Sequence, residues 1–180
     1  MACNISLGRQ EVCKDSVGGL QAVYFINFAT GSFATKNAEG EVSSLGASTT
    51  VYKYDLKGNS AYTETVNSSR DNGTTFFSQE LTLNLKKLTN SMTKELKLLA
   101  WGRPRIIVHT NAGDALLVGE KNGADVTGGT ISTGAALGDL YGYSITLSGQ
   151  ESIPAAFLSG STVDNPFAGL SGSISIVSGS

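Results

Sequence analysis

The residues best suited to chemistry in this protein are one histidine, two cysteines and scattered carboxylates. His109 lies in the apolar stretch RIIVHT, and Asp114 follows closely. A Ser-His-Asp hydrolase needs such a histidine between a nucleophile and an acid, but the sequence contains no G-x-S-x-G motif. One histidine and two N-terminal cysteines also fall short of a four-ligand zinc site. We therefore expect His109 to be a structural strand residue, and we predict no catalytic residue, no metal and no cofactor.

Two further sets of side chains have both a functional and a structural interpretation. The loop carboxylates lack the D-x-D-x-D-G spacing of a calcium loop, which favours solvated surface residues; they are Asp114, Glu120, Asp125, Asp139 and Glu151. Four aromatic side chains can form a sugar-binding platform, but their alternation with small residues indicates the core face of a sheet. These four are Tyr24, Phe25, Tyr141 and Tyr143.

The composition limits the partners of the protein. Charged residues make up 16% of the 180 residues, and the net charge is -2. No basic tract is present, which argues against strong binding to nucleic-acid phosphates. The start MACNISLGRQE lacks the features of a signal peptide, and no apolar run reaches the ~18 residues of a membrane helix. We expect Cys3 and Cys13 to be free thiols of a protein assembled in the cytoplasm, with an N-terminal disulfide as the alternative.

Two long segments alternate between apolar and polar residues, the period of a half-buried strand. In TTFFSQELTLNLKKL (74–88), one set of positions is nearly all apolar: Phe77, Gln79, Leu81, Leu83 and Leu85. The alternate set is polar: Ser78, Glu80, Thr82, Asn84 and Lys86. LYGYSITLSGQ (140–150) repeats the pattern, with a nearly uncharged polar set of Gly142, Ser144, Thr146 and Ser148. Each segment therefore predicts a strand with one face in the core and one long polar face.

The rest of the sequence reads as shorter strands around one helix. QAVYFINF (21–28) is apolar on both faces and predicts a buried strand, and 47–88 predicts an extended β-arm with a flexible tip. Asn90 or Ser91 can cap a helix of about 90–101, which Gly102 can close in a left-handed conformation before Pro104. Its apolar stripe is Met92, Leu96 and Leu99. Further strands are predicted at 103–110, 115–120, 124–133 and 174–177.

These elements predict a mainly β fold, a sandwich or barrel with one short helix. We divide the protein into an N-terminal segment (1–20), a β-sandwich domain (21–158) and a Ser/Gly-rich C-terminal arm (159–180). The domain is large enough to bury a substantial core.

A closed ring of subunits would make use of the two long polar faces. If the strands of neighbouring copies lie side by side, the sheets join into a ring-shaped barrel, and closure removes exposed strand edges. The polar residues would then line the lumen; we predict Glu80, Thr82, Asn84, Ser144 and Thr146 there. The arm would stack one ring on the next, and the residues that we predict at this contact are Lys57, Gly58, Asn59, Arg70, Asp71, Asn72 and Gly73.

The order of elements resembles a known family. From ELTLNL through RPRIIVHTNAGDALLVGEKNGADVTGGTISTGAALGDLYGYSITLSGQE, a long strand leads into a short helix, a hairpin, and a Gly-Asp-Leu-Tyr-Gly-Tyr turn before an alternating strand. This is similar to the tail tube proteins of tailed bacteriophages, especially those infecting Bacteroidetes, and to the tube protein of type VI secretion. The resemblance covers roughly residues 20 to 158.

The resemblance implies a virion structural protein without enzymatic activity. Its hexameric rings would stack into a tail tube through which the genomic DNA is ejected, without sequence-specific binding. The partners implied are copies of itself and other tail proteins, with no membrane and no cofactor. The alternatives are another virion subunit (a head decoration, a connector or a fibre), a carbohydrate-binding β-sandwich module, and an enzyme with a cleft around His109.

Overall fold

The computed structural model describes residues 7–10, 13–14, 16–30 and 33–179. Eleven strands and one helix follow in sequence order: β1 (Leu20–Ile26), β2 (Thr35–Lys36), β3 (Val42–Asp55), β4 (Ala61–Ser69), β5 (Thr74–Lys86), α1 (Asn90–Trp101), β6 (Arg105–Thr110), β7 (Ala115–Val118), β8 (Asp125–Ser132), β9 (Gly142–Glu151), β10 (Ala156–Phe157) and β11 (Ser171–Ser178). The prediction of a mainly β fold with one helix is confirmed.

The strands form two sheets. The larger sheet has the order β10-β7-β6-β1-β3-β11, with β2 added beside β3, and the strands include a curled half-barrel sheet. The smaller sheet has the order β4-β5-β9-β8 and is antiparallel throughout. The two predicted long strands are therefore β5 and β9, and they lie side by side in its centre.

Two apolar clusters explain why β1 and β6 are apolar on both faces. The first fills the space between the sheets, with Val23, Leu83 and Leu147 among its fully buried members. The second lies on the opposite face of the larger sheet, where Tyr24 and Ile107 pack against residues that follow β9 in the sequence. The larger sheet is thus covered on both sides, whereas the smaller sheet has one covered face.

Helix α1 packs its predicted stripe of Met92, Leu96 and Leu99 against the first cluster, although each of these side chains is only partly buried. The predicted caps are wrong. The N-cap is Thr89, whose hydroxyl accepts a hydrogen bond from the Met92 N–H at 3.2 Å. Gly102 is extended (φ -95°, ψ 174°) rather than left-handed, and its N–H donates to the carbonyl of Leu98. The backbone can leave the helix in this extended conformation and enter β6 directly.

The C-terminal segment packs against the sheet of its own subunit. Phe167 is buried and meets Tyr24 edge-on, with ring centroids 4.9 Å apart. Strand β11 then pairs in parallel with β3, from Ser171 opposite Ser44 to Ser178 opposite Lys53. The segment predicted as a C-terminal arm thus supplies the edge strand and part of the cover of the larger sheet.

The predicted arm over 47–88 is wrong in extent, because its strands belong to different sheets. Strand β3 lies in the larger sheet, and β4 and β5 form a hairpin in the smaller sheet. The pairing of β5 with β9 ends at Phe77 opposite Glu151, whereas that with β4 continues to Ser69 opposite Thr74. Only this last part of the hairpin projects beyond the neighbouring strand.

Candidate assembly surface

The five residues predicted to face a lumen lie on one face of the smaller sheet. Thr82 of β5 is directly opposite Thr146 of β9, and Asn84 is opposite Ser144. Glu80 is opposite Ser148 in the same register. Because residues directly opposite in a ladder project to the same side, these side chains form three adjacent cross-strand pairs. The other face of the same strands carries the buried Leu81, Leu83, Tyr143, Ile145 and Leu147.

The polar face extends onto the two outer strands of the sheet. On β4, Thr63 is opposite Glu80 and Ala61 is opposite Thr82. On β8, Thr130 is opposite Ser144, and a register shift between Val126 and Gly128 brings Gly128 opposite Thr146. Within β5 and β9 the only charged residues of this face are Glu80 and Lys86. On β8, Asp125 is opposite Ser148 and adds one further charge. The result is a four-stranded hydroxyl-rich surface with few charged residues.

Both edges of this sheet are open in the part of the protein that the structure describes. Strand β4 forms one edge and β8 the other, and neither has a partner on its outer side. An open edge presents unpaired N–H and C=O groups that can pair with another polypeptide. The sheet can therefore be extended on both sides by further strands.

The residues predicted at an inter-ring contact divide between the two ends of the smaller sheet. Arg70–Gly73 form the turn of the β4–β5 hairpin, where the Gly73 N–H donates to the Arg70 carbonyl at 3.3 Å. We call this the hairpin end. Lys57–Asn59 connect β3 to β4 beside Lys86, at the opposite end of β5. The structure thus places this part of the predicted arm tip at the base of the hairpin, a correction that follows from β3 belonging to the other sheet.

Asn84 belongs to the polar face and also makes two hydrogen bonds that hold the β3–β4 connection at the base of the hairpin. Its side-chain N–H₂ donates to the carbonyl of Asn59, and its backbone N–H donates to the Ser60 hydroxyl at 3.1 Å. These bonds tie the turn between the two sheets to the C-terminal end of β5. Periodicity identified the face on which Asn84 lies, but it carried no signal for this bond.

A buried polar contact fixes the smaller sheet to the larger one at the middle of β5. The side-chain amide oxygen of Gln79 accepts from the Gly119 N–H at 2.9 Å, and its Nε2 donates to Glu64 Oε1 at 3.0 Å. The same Glu64 oxygen accepts from the Ala155 N–H at 3.0 Å. Gln79 is fully buried. Gln79 is the one polar residue in the predicted inward set of β5, and its amide has hydrogen-bond partners, as a buried amide requires.

The residues with catalytic potential take part in structural hydrogen bonds in the β6–β7 hairpin. His109 is buried, and its Nε2–H donates to the carbonyl of Thr162 at 2.9 Å, which supports the structural interpretation. Burial lowers the pKa of His109, and the Thr162 hydrogen bond partly opposes that shift. The Asp114 N–H is bonded to the Thr110 hydroxyl in a turn. Among residues 7–10, 13–14, 16–30 and 33–179, no group of three or more His, Cys, Asp or Glu side chains could hold a metal ion.

The alternative of an aromatic sugar-binding platform formed by these four residues does not hold. Tyr24, Phe25 and Tyr143 are buried, as the core interpretation predicted, and only Tyr141 is exposed. A different aromatic groove lies beside the C-terminus of α1. Its exposed apolar members are Tyr52, Leu98 and Trp101, and its volume is about 790 Å³. The isolated tryptophan at the end of the helical pattern was its one signal in the sequence.

The structure bears on the predictions for the cysteines and for a membrane segment only through the residues that it describes. Cys13 is an exposed free thiol, and Cys3 lies outside the described residues. Within the described residues, α1 falls short of the length and apolar character that crossing a bilayer requires. Comparisons with protein-family models, curated protein sequences and solved structures gave no match to this protein.

Proposed function

We propose that this protein is the structural subunit of a bacteriophage tail tube. Six copies would join their smaller sheets edge to edge into a ring, with β8 of one subunit beside β4 of the next. The hydroxyl-rich face would line the bore, and the apolar face would remain packed on the larger sheet and α1. The observation that carries this proposal is the alignment of Thr82–Thr146 and Asn84–Ser144 on a sheet that is open at both edges.

The dimensions of such a ring suit the passage of duplex DNA. Six four-stranded sheets make a barrel of about 24 strands, with ~4.8 Å between strands and a tilt of roughly 40°. The backbone diameter is then about 48 Å. Side chains fill about 5 Å on each side, half of the ~10 Å between packed sheets, which leaves a bore of roughly 38 Å. That bore admits a hydrated double helix.

The chemistry of the face suits transport rather than retention. A protein that neutralises many phosphates holds DNA tightly in a salt-dependent manner. Here each subunit would contribute mainly Ser and Thr hydroxyls, with Glu80 and Lys86 as the charged residues of β5 and β9. DNA can slide past such a surface without stable ion pairs. The proposal assigns no catalytic residue and no cofactor to the protein.

The hairpin end supplies a means of stacking rings in a virion tail. The hairpin exposes Val66, opposite Phe77 at the last β5–β9 pair, and Phe76 and the turn Arg70–Gly73 beyond it. Exposed apolar side chains on a projecting hairpin can pack against the next ring. Other tail proteins would complete the two ends of the stack.

Negative-stain electron microscopy of the purified protein tests the proposal. We expect rings with a central hole, and rods at higher protein concentration. Rings that never stack would instead favour a connector subunit. Monomers with no ordered assembly, at any concentration or ionic strength tested, would contradict a tube function.

A carbohydrate-binding module is the second candidate, because Trp101 and Tyr52 are exposed in one groove. Aromatic side chains of this kind can stack against sugar rings. A glycan-binding screen on the monomer separates the two candidates. Saturable glycan binding that Trp101→Ala abolishes, without any assembly, would favour this module over the tube.

A further inference from the structure

We infer that successive rings are joined by an apolar knob-and-groove contact, in which Leu137 of one subunit enters the aromatic groove of a second copy. The inference rests on the proposed function and names the residues that make the axial contact. Leu137 is fully exposed at the tip of the loop between β8 and β9. The groove is the one lined by Phe28, Tyr52, Leu98, Leu99, Trp101 and Pro104.

The loop holds Leu137 in a defined position. One oxygen of the Asp139 carboxylate accepts from the N–H groups of Ala135 (2.9 Å) and Ala136 (2.7 Å), and the Asp139 N–H donates back to the Ala136 carbonyl at 3.1 Å. Gly134 adopts φ +72°, and an added Cβ there would lie 2.9 Å from Asp139. A side chain on so constrained a loop loses little conformational entropy on binding. Leu137 is therefore presented as an anchor rather than as part of a flexible connection.

The groove offers a matching apolar site. Trp101 is 75% exposed and Leu98 is 60% exposed, although both belong to the same helix as the packed stripe. Single exposed apolar residues are ordinary, but two beside a groove with aromatic walls form a patch. Removing such a patch and a leucine from water together gives a favourable contact.

The charges around the two surfaces are also compatible. Asp139 is the only charged residue between Thr133 and Tyr141. In the groove, the Arg103 guanidinium is 4.3 Å from the Phe28 centroid, and next to it Lys97 Nζ is 4.5 Å from the centroid of Trp101. Glu95 and Asp125 balance them along the lining. The carboxylate oxygen of Asp139 that does not hold the loop can pair with a cation next to the rings that Leu137 would contact.

The positions of the two surfaces favour a head-to-tail contact between copies. The loop follows Ser132 at one end of β8, and the groove includes Asp125 at the other end of the same strand. The two ends of β8 are separated by roughly 23 Å at ~3.3 Å per residue. A subunit thus cannot fill its own groove with its own Leu137. A contact between unlike surfaces that does not close propagates into a stack.

Cross-linking in solution tests this contact directly. In a background with Cys3→Ser and Cys13→Ser, we would introduce Ala136→Cys beside the knob and Glu95→Cys in the groove lining, which keeps Leu137 and Leu98, and treat the assembled protein with a short bismaleimide. Head-to-tail contact predicts a ladder of dimers, trimers and longer products on a denaturing gel. An equal mixture of the two single variants should give dimers only. Products confined to cross-links within one subunit, or to dimers for the double variant, would overturn the inference.

Substitution of the knob gives an independent readout. Leu137→Ser should leave rings intact and abolish rods, and Trp101→Ser should do the same. Leu7→Ser is the matched control, because Leu7 is 87% exposed and is not part of the groove; its rods should be unchanged. If the Leu137→Ser variant forms rods of the same length and thermal stability as the wild-type rods, this contact is refuted and the tube function is left intact. A wild-type protein that stays monomeric would refute both.

Discussion

The phenol hydroxyl of Tyr143 joins the smaller sheet to the first turn of the helix through Thr89. It lies 3.2 Å from the Thr89 backbone nitrogen and 3.0 Å from the Thr89 carbonyl oxygen, and also 2.8 Å from the Thr93 hydroxyl. The Tyr143 ring is fully buried beneath the helix. The residue that caps α1 is thus itself held by a strand that is far away in the sequence.

Tyr143→Phe should destabilise the subunit by about 1 to 2 kcal/mol, because the Thr89 N–H loses its partner in a partly buried site. The free energy of unfolding from urea denaturation is the measurement. Tyr141→Phe is the control, since Tyr141 is about half exposed and should change stability by less than about 0.5 kcal/mol. Equal effects for the two substitutions would show that the buried hydroxyl does not hold the helix.

A second prediction compares two leucines of α1. Full burial of Leu96 would predict a loss of roughly 2 to 5 kcal/mol for Leu96→Ala, but Leu96 is only partly buried against the first cluster. We therefore expect a loss of about 1 to 2 kcal/mol, below the range for a core leucine. Leu98→Ala, on the exposed face, should lie within about 0.5 kcal/mol of wild type. Thermal and urea denaturation of both variants is the measurement. A larger loss of stability for Leu98→Ala than for Leu96→Ala would contradict the assignment of the packed face of α1.

Periodicity predicted β5, β9 and α1 because each buries one face, so their patterns report burial directly. Leu81 and Leu147 are inward, and Thr82 and Thr146 are outward, as alternation requires. The same signal failed between Val42 and Leu56. A continuous β pattern there cannot show that the backbone changes sheets at Lys57, because alternation is a property of one strand and not of its partners.

The helix caps and the C-terminal strand β11 could not be predicted from the sequence, for different reasons. Thr89, Asn90 and Ser91 can all accept a capping hydrogen bond, and the choice of Thr89 depends on Tyr143, 54 residues away. Strand β11 has almost no buried face, and only Ile174 packs against a core cluster. A segment held mainly by backbone pairing to β3 leaves no hydrophobic pattern to read.

The pH dependence of stability should include a contribution from His109. Its pKa in the folded protein is lowered below 6.5 because burial disfavours the imidazolium, and the Lys53 charge adds to that shift. The unfolded protein binds the proton more readily, so the stabilisation is complete above pH 6.5 and is lost as the pH falls below 6.5. The added slope is at most about 1.4 kcal/mol per pH unit. His109→Gln keeps a donor for Thr162 and should remove this slope between pH 6.5 and 5; an identical slope would contradict it.

Charge on the polar face should convert a passive surface into one that retains DNA. Thr82→Lys or Ser144→Arg would place one added cation per subunit around the proposed bore, and the long side chains can direct their charges away from the sheet. We expect normal assembly together with new, salt-dependent binding of short duplex DNA to the tubes, measured by co-sedimentation. Ser173→Lys on exposed β11 supplies the same charge elsewhere. Equal DNA binding by the control and by Thr82→Lys would place the polar face outside the bore.

Shortening the hairpin should separate ring formation from ring stacking. A variant that removes Asn67–Phe76 and joins Val66 to Phe77 through an Asn-Gly turn keeps the pairing of Ala61–Val66 with Phe77–Thr82. Because the deleted residues lie beyond the last β5–β9 pair, the subunit should fold with a nearly unchanged melting temperature. Rings should form, whereas rods should be lost or become much shorter in electron micrographs. Replacing Arg70–Gly73 by residues of equal number, such as Gly-Ser-Gly-Ser, keeps the hairpin length and tests the turn itself. Full-length rods from the shortened variant would show that the hairpin end does not contact the next ring.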